Sequence, residues 1–172
     1  SLEDGLSQSS VMSIMQDDQG FLWFATEDGL NRFDGLKFKV FRPVEGDDSS
    51  LSDVYVRSLA LDAEGSLWAG THQGGANRYD SATGQFARYQ HDENVPDSLS
   101  NNYVRAIHLD EQGRLWFGTN AGLDLFNPQT GGFEHFAQAV REAGKAGEQG
   151  RRTTILVNIS GHGLLDLAAF AS

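Results

Sequence analysis

Apolar and polar positions alternate along this chain in short stretches, and the same stretch comes back twice. Val11 to Met15, Val56 to Leu61 and Val104 to Leu109 each carry the alternation. Each leads into a turn sequence ending in glycine: Asp17-Asp-Gln-Gly20, Asp62-Ala-Glu-Gly65 and Asp110-Glu-Gln-Gly113. Period-two segments bounded by Asp and Gly predict strands joined by tight turns. A second strand then follows, holding the only three tryptophans: Gly20-Phe-Leu-Trp23-Phe-Ala-Thr26, Gly65-Ser-Leu-Trp68-Ala-Gly-Thr71 and Gly113-Arg-Leu-Trp116-Phe-Gly-Thr119. Turns at Gly29, Gly74-Gly75 and Gly122 precede a third strand at Leu30 to Phe33, Ala76 to Tyr79 and Leu123 to Phe126. The fourth is Phe38 to Phe41, Phe86 to Tyr89 and Phe133 to Phe136.

The landmarks keep a common step. The tryptophans are 45 and 48 residues apart, as are Leu6-Ser7, Leu51-Ser52 and Leu99-Ser100, and as are Val11, Val56 and Val104. Arg32-Phe33-Asp34 returns as Arg78-Tyr79-Asp80 and, less faithfully, as Leu125-Phe126-Asn127. Four short antiparallel strands per unit of this length make a β-propeller blade, which cannot bury both its faces alone and must stack on a neighbour. The expected fold is therefore all-β: a partial propeller of three four-stranded blades at about residues 6–50, 51–98 and 99–136. The aromatic residues are first of all core.

Composition narrows the function. With 13 basic against 24 acidic residues the formal charge is −11, which argues against a protein that tracks a nucleic-acid backbone. No apolar run is long enough to cross a bilayer, and with no cysteine there are no disulfides, thiolate metal sites or cysteine nucleophiles. The histidines, His72, His91, His108, His135 and His162, show no metal-ligand spacing. The Asp17-Asp18 and Asp110-Glu111 pairs read as turn residues rather than calcium ligands or acid/base pairs. No cofactor, metal or catalytic constellation is expected.

The run Gly-x-Leu-Trp-x-Gly-Thr, then Gly-Gly-Leu-Asn-Arg-Phe-Asp, then Thr-Gly-x-Phe resembles the two-component regulator propeller repeat, over about residues 5–136. The resemblance implies the extracytoplasmic, periplasmic sensor region of a bacterial receptor with a histidine kinase, response-regulator or diguanylate cyclase output, and ligands that are often carbohydrate-like. It implies a non-enzymatic sensor. Propellers close with about 4–8 blades, so three point to the remaining blades of a longer chain or to homo-oligomers that complete a ring. Two alternatives are a self-associating structural module and a gene-fusion fragment.

Residues 137–172 follow a different grammar. Of 18 aromatic residues only Phe170 lies there. Residues 136–149 read as a short helix, Arg151 to Ile159 as a strand, and Leu164 to Phe170 as an apolar stretch with helical character, giving a short α/β tail. Residues 142–170, with Asn158-Ile-Ser160-Gly-His-Gly163, are similar to the end of tryptophan-synthase-β-like pyridoxal-phosphate enzymes. The resemblance implies that Ser160 corresponds to the residue bonding the cofactor's pyridine nitrogen. The lysines present, Lys37, Lys39 and Lys145, do not come with a phosphate cradle, and no cofactor binding is expected.

If strands alternate in direction, the turn between second and third strands shares a face with the long loops between blades. That face carries residues 26–30, 72–75 and 120–122 together with residues 42–54 and 90–102, and long loops on a rigid scaffold are where binding usually lives. Arg57 and Arg105 follow the blade-opening valines, where an innermost strand meets the channel mouth. Tyr55 and Tyr103 precede them. The candidate ligand-binding residues are thus Tyr55, Arg57, His72, Tyr103, Arg105 and Asn120, suited to a carbohydrate or a small acidic ligand. Pairing of both arginines with surface carboxylates is the competing reading.

Overall fold

The computed structural model describes residues 5–136 and, beyond them, the strands Thr153–Val157 and Leu165–Ala169. The first blade contains β1 (Val11–Gln16), β2 (Leu22–Thr26), β3 (Gly29–Phe33) and β4 (Phe38–Phe41). The second contains β5 (Val56–Leu61), β6 (Leu67–Thr71), β7 (Ala76–Tyr79) and β8 (Phe86–Tyr89). The third contains β9 (Val104–Leu109), β10 (Leu115–Thr119), β11 (Leu123–Phe126) and β12 (Phe133–His135). Each blade is a four-stranded antiparallel sheet with its strands in chain order. The opening strands β1, β5 and β9 lie next to one another across blades, so they form the inner edge of the array.

The blades hold together through their faces. Between the first and second, Trp23, Leu30 and Phe41 pack with Leu51, Val56, Leu59, Tyr79 and Phe86. Trp68 fills the same position at the next boundary, with Leu99, Val104, Ile107, Phe117 and Phe133 around it. Trp23 stacks on Phe41 at 5.6 Å between ring centroids, and Trp68 meets Phe117 edge-on at 5.3 Å. Aromatic pairs at such geometries add about 0.5–1.5 kcal/mol beyond the area they bury.

The acidic turn residues fix the tryptophans. Asp17, Asp62 and Asp110 each accept the indole N–H of the following strand's tryptophan through Oδ2, at 2.7, 2.9 and 2.8 Å. The Oδ1 of each accepts backbone N–H groups in its own turn. One carboxylate thus shapes the hairpin and satisfies a donor that packing would otherwise strand. The turn reading of these residues holds.

A second device closes each blade's entry. Ser7 and Ser52 give their backbone N–H to the side-chain oxygens of Asn31 and Asn77, at 2.9 and 3.0 Å, and accept the amide in return. In the third blade Asp124 stands in place of asparagine. It accepts the Ser100 N–H at 2.9 Å and holds His135 Nδ1 at 2.7 Å. Glycine is required at Gly75, whose φ is +77° and where a Cβ would strike the Tyr89 carbonyl oxygen.

The tail keeps the strand expected within Arg151 to Ile159 and departs from expectation at the next element. β13 (Thr153–Val157) pairs antiparallel with β14 (Leu165–Ala169), with Ile155 opposite Leu167 and Val157 opposite Leu165. The stretch from Leu164 to Phe170 is therefore a strand where described, not a helix. A segment this short gains little from one or two helical turns, whereas a strand partner satisfies its backbone along its whole length. The helix expected over residues 136–149 lies outside the described residues except for Phe136, which is not helical.

Candidate functional site at the inner mouth

In all three blades the opening strand is bulged. The pairing of β1 with β2 steps from Val11 to Ser13, that of β5 with β6 from Val56 to Ser58, and that of β9 with β10 from Val104 to Ala106. The residue skipped each time is Met12, Arg57 or Arg105. A bulge re-aims the extra side chain away from the regular pleat, so both candidate arginines sit at the inner edge for a structural reason. The recurrence of Val-x-Ser and Val-x-Ala before a hairpin was visible in the sequence, but nothing in it marked the extra residue.

The two tyrosines are held by turns. Tyr55 N–H bonds Asp53 Oδ1 at 3.2 Å, and Tyr103 N–H bonds Asn101 Oδ1 at 2.8 Å. Their carbonyls receive the N–H groups of His72 and Asn120, at 3.0 and 3.2 Å. The Gly29 and Gly75 N–H groups likewise bond Val54 O and Asn102 O, at 2.7 and 2.9 Å. These bonds tie the turn between second and third strands to the loop that enters the next blade.

All six candidate residues come together. The His72 ring lies parallel to Tyr55 at 5.1 Å and tilts against Tyr103 at 4.4 Å, making a three-ring ladder across the second and third blades. Arg57 rests over both tyrosines, 5.3 Å from the Tyr55 centroid and 5.1 Å from that of Tyr103. Its Nη1 donates to the Tyr55 hydroxyl at 3.3 Å. Arg105 lies 5.1 Å from the Tyr103 centroid and donates through Nε to Asn120 Oδ1 at 2.6 Å.

Pairing with carboxylates, the competing reading of the two arginines, is not what the side chains do. Arg42, Arg78, Arg88 and Arg114 each reach an aspartate, at 2.8, 2.9, 3.1 and 2.7 Å. Among the described residues Arg57 and Arg105 reach none. Arg57 Nε and His72 Nδ1 are buried without a hydrogen-bond partner there, an arrangement that costs about 1–3 kcal/mol per group in a protein interior. Loss of solvation pushes the Tyr55 phenol above its ordinary value, with Arg57 opposing and the nearby Glu27 adding to the rise.

Glu27 is the residue that the sequence reading missed. It is the first blade's counterpart of His72 and Asn120, 45 residues before His72, and the repeat step alone would have found it. The first blade otherwise places Ser10 and Met12 where the later blades carry tyrosine and arginine.

Of three cavities that lie elsewhere, the largest, about 400 Å³, opens over the outer strands of the third blade between Leu125 and Phe133 and touches none of the six residues. The other two, of about 220 and 240 Å³, lie one at each blade boundary beside the turns between first and second strands. Neither includes any of the six residues. They occupy equivalent places, and in the second the Arg78 guanidinium is already neutralised by Asp62 at 2.9 Å. Gaps that recur at each boundary are a product of blade packing, and in the first Arg32 lies over the Phe21 and Trp23 rings and meets the Tyr79 hydroxyl. The inner mouth, where all six candidates meet, is the better site. Among the described residues no cluster of three or more histidine and carboxylate groups could hold a metal, and no helix is long and apolar enough to cross a membrane. Ser160 lies outside the described residues.

Comparison with known proteins agrees with this architecture. The two-component regulator propeller family matches at residues 5–28, 50–73 and 98–121, one match per blade. A 49-residue stretch, 28% of this chain, is 57% identical to histidine kinase P4 of Formosa agariphila and spans 4% of that protein. The extracellular domain of a hybrid two-component system from B. thetaiotaomicron superposes with a TM-score of 0.81 at 31% identity, over 98% of this chain and 24% of that one. A virginiamycin B lyase from Staphylococcus aureus shares the fold alone, with a TM-score of 0.55 at 17% identity over 77% of this chain and 42% of that one. The chain thus spans a small part of its signalling relatives.

Proposed function

The described blades are two-component regulator propeller repeats, and from that premise we propose that the chain is a non-enzymatic, ligand-sensing part of a bacterial two-component or cyclic-dinucleotide signalling receptor. Its place is outside the cytoplasmic membrane, in the periplasm, as the extracellular domain of the B. thetaiotaomicron relative suggests. The ligand, a carbohydrate or small acid, sits at the inner mouth. The observation that supports this reading is the convergence of Tyr55, Arg57, His72, Tyr103, Arg105 and Asn120 on one edge, set there by bulges and inter-blade hydrogen bonds.

A propeller suits this task because its blades fix the loops and its inner strands bring side chains of neighbouring blades to one edge. A ligand that touches Arg57 and Tyr55 on the second blade and Arg105 on the third favours one relative placement of the two, and only such a preference can be passed on as a signal. Calorimetric titration of neutral and acidic saccharides against a chain that carries the full set of blades tests it. Binding that is lost on Tyr103→Ala supports the reading, and no heat from any of them with the ring intact contradicts it.

A second reading has its own observation. Ile14 on the first blade is 59% exposed, although its counterpart Leu59 on the second is 5% exposed beneath the first blade. That face fits another blade, either from a longer chain or from a second copy that completes a ring. Light scattering separates the two, since a monomer of the full chain contradicts ring closure by self-association.

A further inference from the structure

The chain has 24 acidic and 13 basic side chains, so a guanidinium that meets no carboxylate is in the minority. The acids nearest the mouth are occupied. Asp28 is bound by Arg42 through two bonds of 2.8 and 3.1 Å. Asp53 accepts the backbone N–H groups of Tyr55 and Gln73, at 3.2 and 2.7 Å. Glu27, beside the Tyr55 hydroxyl, is the one acid there that faces the cluster. The mouth therefore sets two guanidiniums that reach no carboxylate among the described residues against Glu27 and Asp53, so its charge is balanced on a strongly negative molecule and two guanidinium forks remain open to an anion.

Its hydrogen-bonding capacity is one-sided. Asn120 spends its carbonyl oxygen on Arg105 Nε at 2.6 Å, which leaves the amide N–H groups to face outward as donors. The terminal nitrogens of both guanidiniums are donors only. Because both guanidinium carbons lie 5.1 Å from the same Tyr103 centroid, they are no more than 10.2 Å apart, within reach of one small molecule.

We propose that the inner mouth recognises a carboxylate-bearing ligand, held by Arg57 and Arg105, with the Asn120 amide as a third donor. This rests on the reading that the mouth is the sensing site and adds the charge class of what it senses. Charge-assisted bonds to a carboxylate are the strong ones, and a neutral analogue leaves both guanidiniums as they were.

The test uses two matched pairs on the full chain: D-glucuronate with D-glucose, and benzoate with benzyl alcohol. The pairs differ in what carries the carboxylate, so they separate a sugar acid from an aromatic acid. Each is titrated at low and high salt, with near-ultraviolet dichroism confirming the fold. The expected result is that at least one acid binds about tenfold tighter than its neutral partner at low salt, with the margin shrinking at high salt. Arg105→Gln collapses that margin by weakening the acid much more than its neutral partner, while Glu27→Gln widens it a few-fold. Equal binding of acid and neutral partner, unmoved by Arg105→Gln, overturns the charge assignment and leaves the site standing. No binding of any of the four by the folded chain overturns both.

Discussion

The middle blade and the outer two carry the same signature residues in different surroundings. Trp68 is fully buried because the third blade covers it, and Trp23 is 1% exposed beneath the second. Trp116, at the same place in the last described blade, is only half-buried. The inner strands show the reverse gradient: Leu59 and Ile107 are 5% and 9% exposed against their preceding blades, and Ile14 is 59% exposed. Equivalent positions of the repeat thus have unequal burial, and the difference is the neighbour. A blade is a unit of hydrogen bonding but not a unit of hydrophobic stability.

The largest expected effect follows from the tryptophans. Trp68→Ala removes a ring that lies between two blades and leaves a large cavity there, while Asp62 Oδ2 keeps Arg78 as a partner at 2.9 Å, so it should destabilise by about 3–5 kcal/mol. Trp116→Ala, whose ring is only partly covered and rests on Phe136 and Arg114 of its own blade, should lose less, about 1–2 kcal/mol by area burial. Urea unfolding of both variants measures the contrast. Similar losses would show that each blade buries its own tryptophan.

Next come the inner-strand aliphatics. Leu59→Ala opens a cavity in the first boundary and should cost about 2–5 kcal/mol, whereas Ile14→Ala should stay under about 1 kcal/mol, since most of that side chain is not buried to begin with. Denaturation midpoints at equal slope read this difference.

The third blade can be distinguished by pH. Burial lowers the affinity of His135 for its proton, but the hydrogen bonds to Asp124 and the Pro96 carbonyl outweigh it and raise the pKa above its ordinary value. A raised folded-state value means the contribution is complete below the unfolded pKa and is lost as pH rises through the folded one. His135→Gln should remove about 1 kcal/mol at mildly acid pH, where the histidine is charged, and should flatten the stability profile over the range that begins at the ordinary histidine value of 6.5 and runs upward. A variant profile parallel to that of the wild type would contradict the clasp.

A second pH window, at the acid end, concerns Asp110. Burial raises its carboxyl, but bonds from the Trp116 indole, the Arg114 backbone and the Arg114 side chain bring it down to about 2. Its folded value is depressed, so its contribution is present above the ordinary value of 3.8 and is lost as pH falls toward about 2. Asp110→Asn should therefore lose stability near neutrality and converge with the wild type in strong acid, as acid titration of the unfolding midpoint would show.

Much of this was legible in the sequence, for identifiable reasons. Gly-x-Leu-Trp binds a turn, a strand and a core residue into one short string, so the strands, their order and the repeat could be read directly. The inner arginines were placed correctly because Val56 and Val104 anchor the register. The bulge that turns them inward was not legible, because a one-residue slip in pairing leaves the alternation of side chains nearly intact. Nor was the choice made by Arg57 and Arg105 between carboxylates and tyrosine faces, since both kinds of partner are close in sequence. Leu6-Ser7 and its counterparts were visible as landmarks without a role, which only their long-range bonds to Asn31, Asn77 and Asp124 supply. In the tail, residues 165–169 were misjudged because a short apolar run has no period of its own and takes its form from a strand partner.

The central claim, that a blade's stability is supplied across its boundaries, is tested most directly by native-state hydrogen exchange on the monomeric full chain, comparing β6 with β10. These strands hold Trp68 and Trp116 in matching sequence. The account predicts that the amides of Leu67–Thr71 exchange more slowly than those of Leu115–Thr119, with Trp68→Ala abolishing the difference. Equal protection in both strands, unchanged by that substitution, would contradict it.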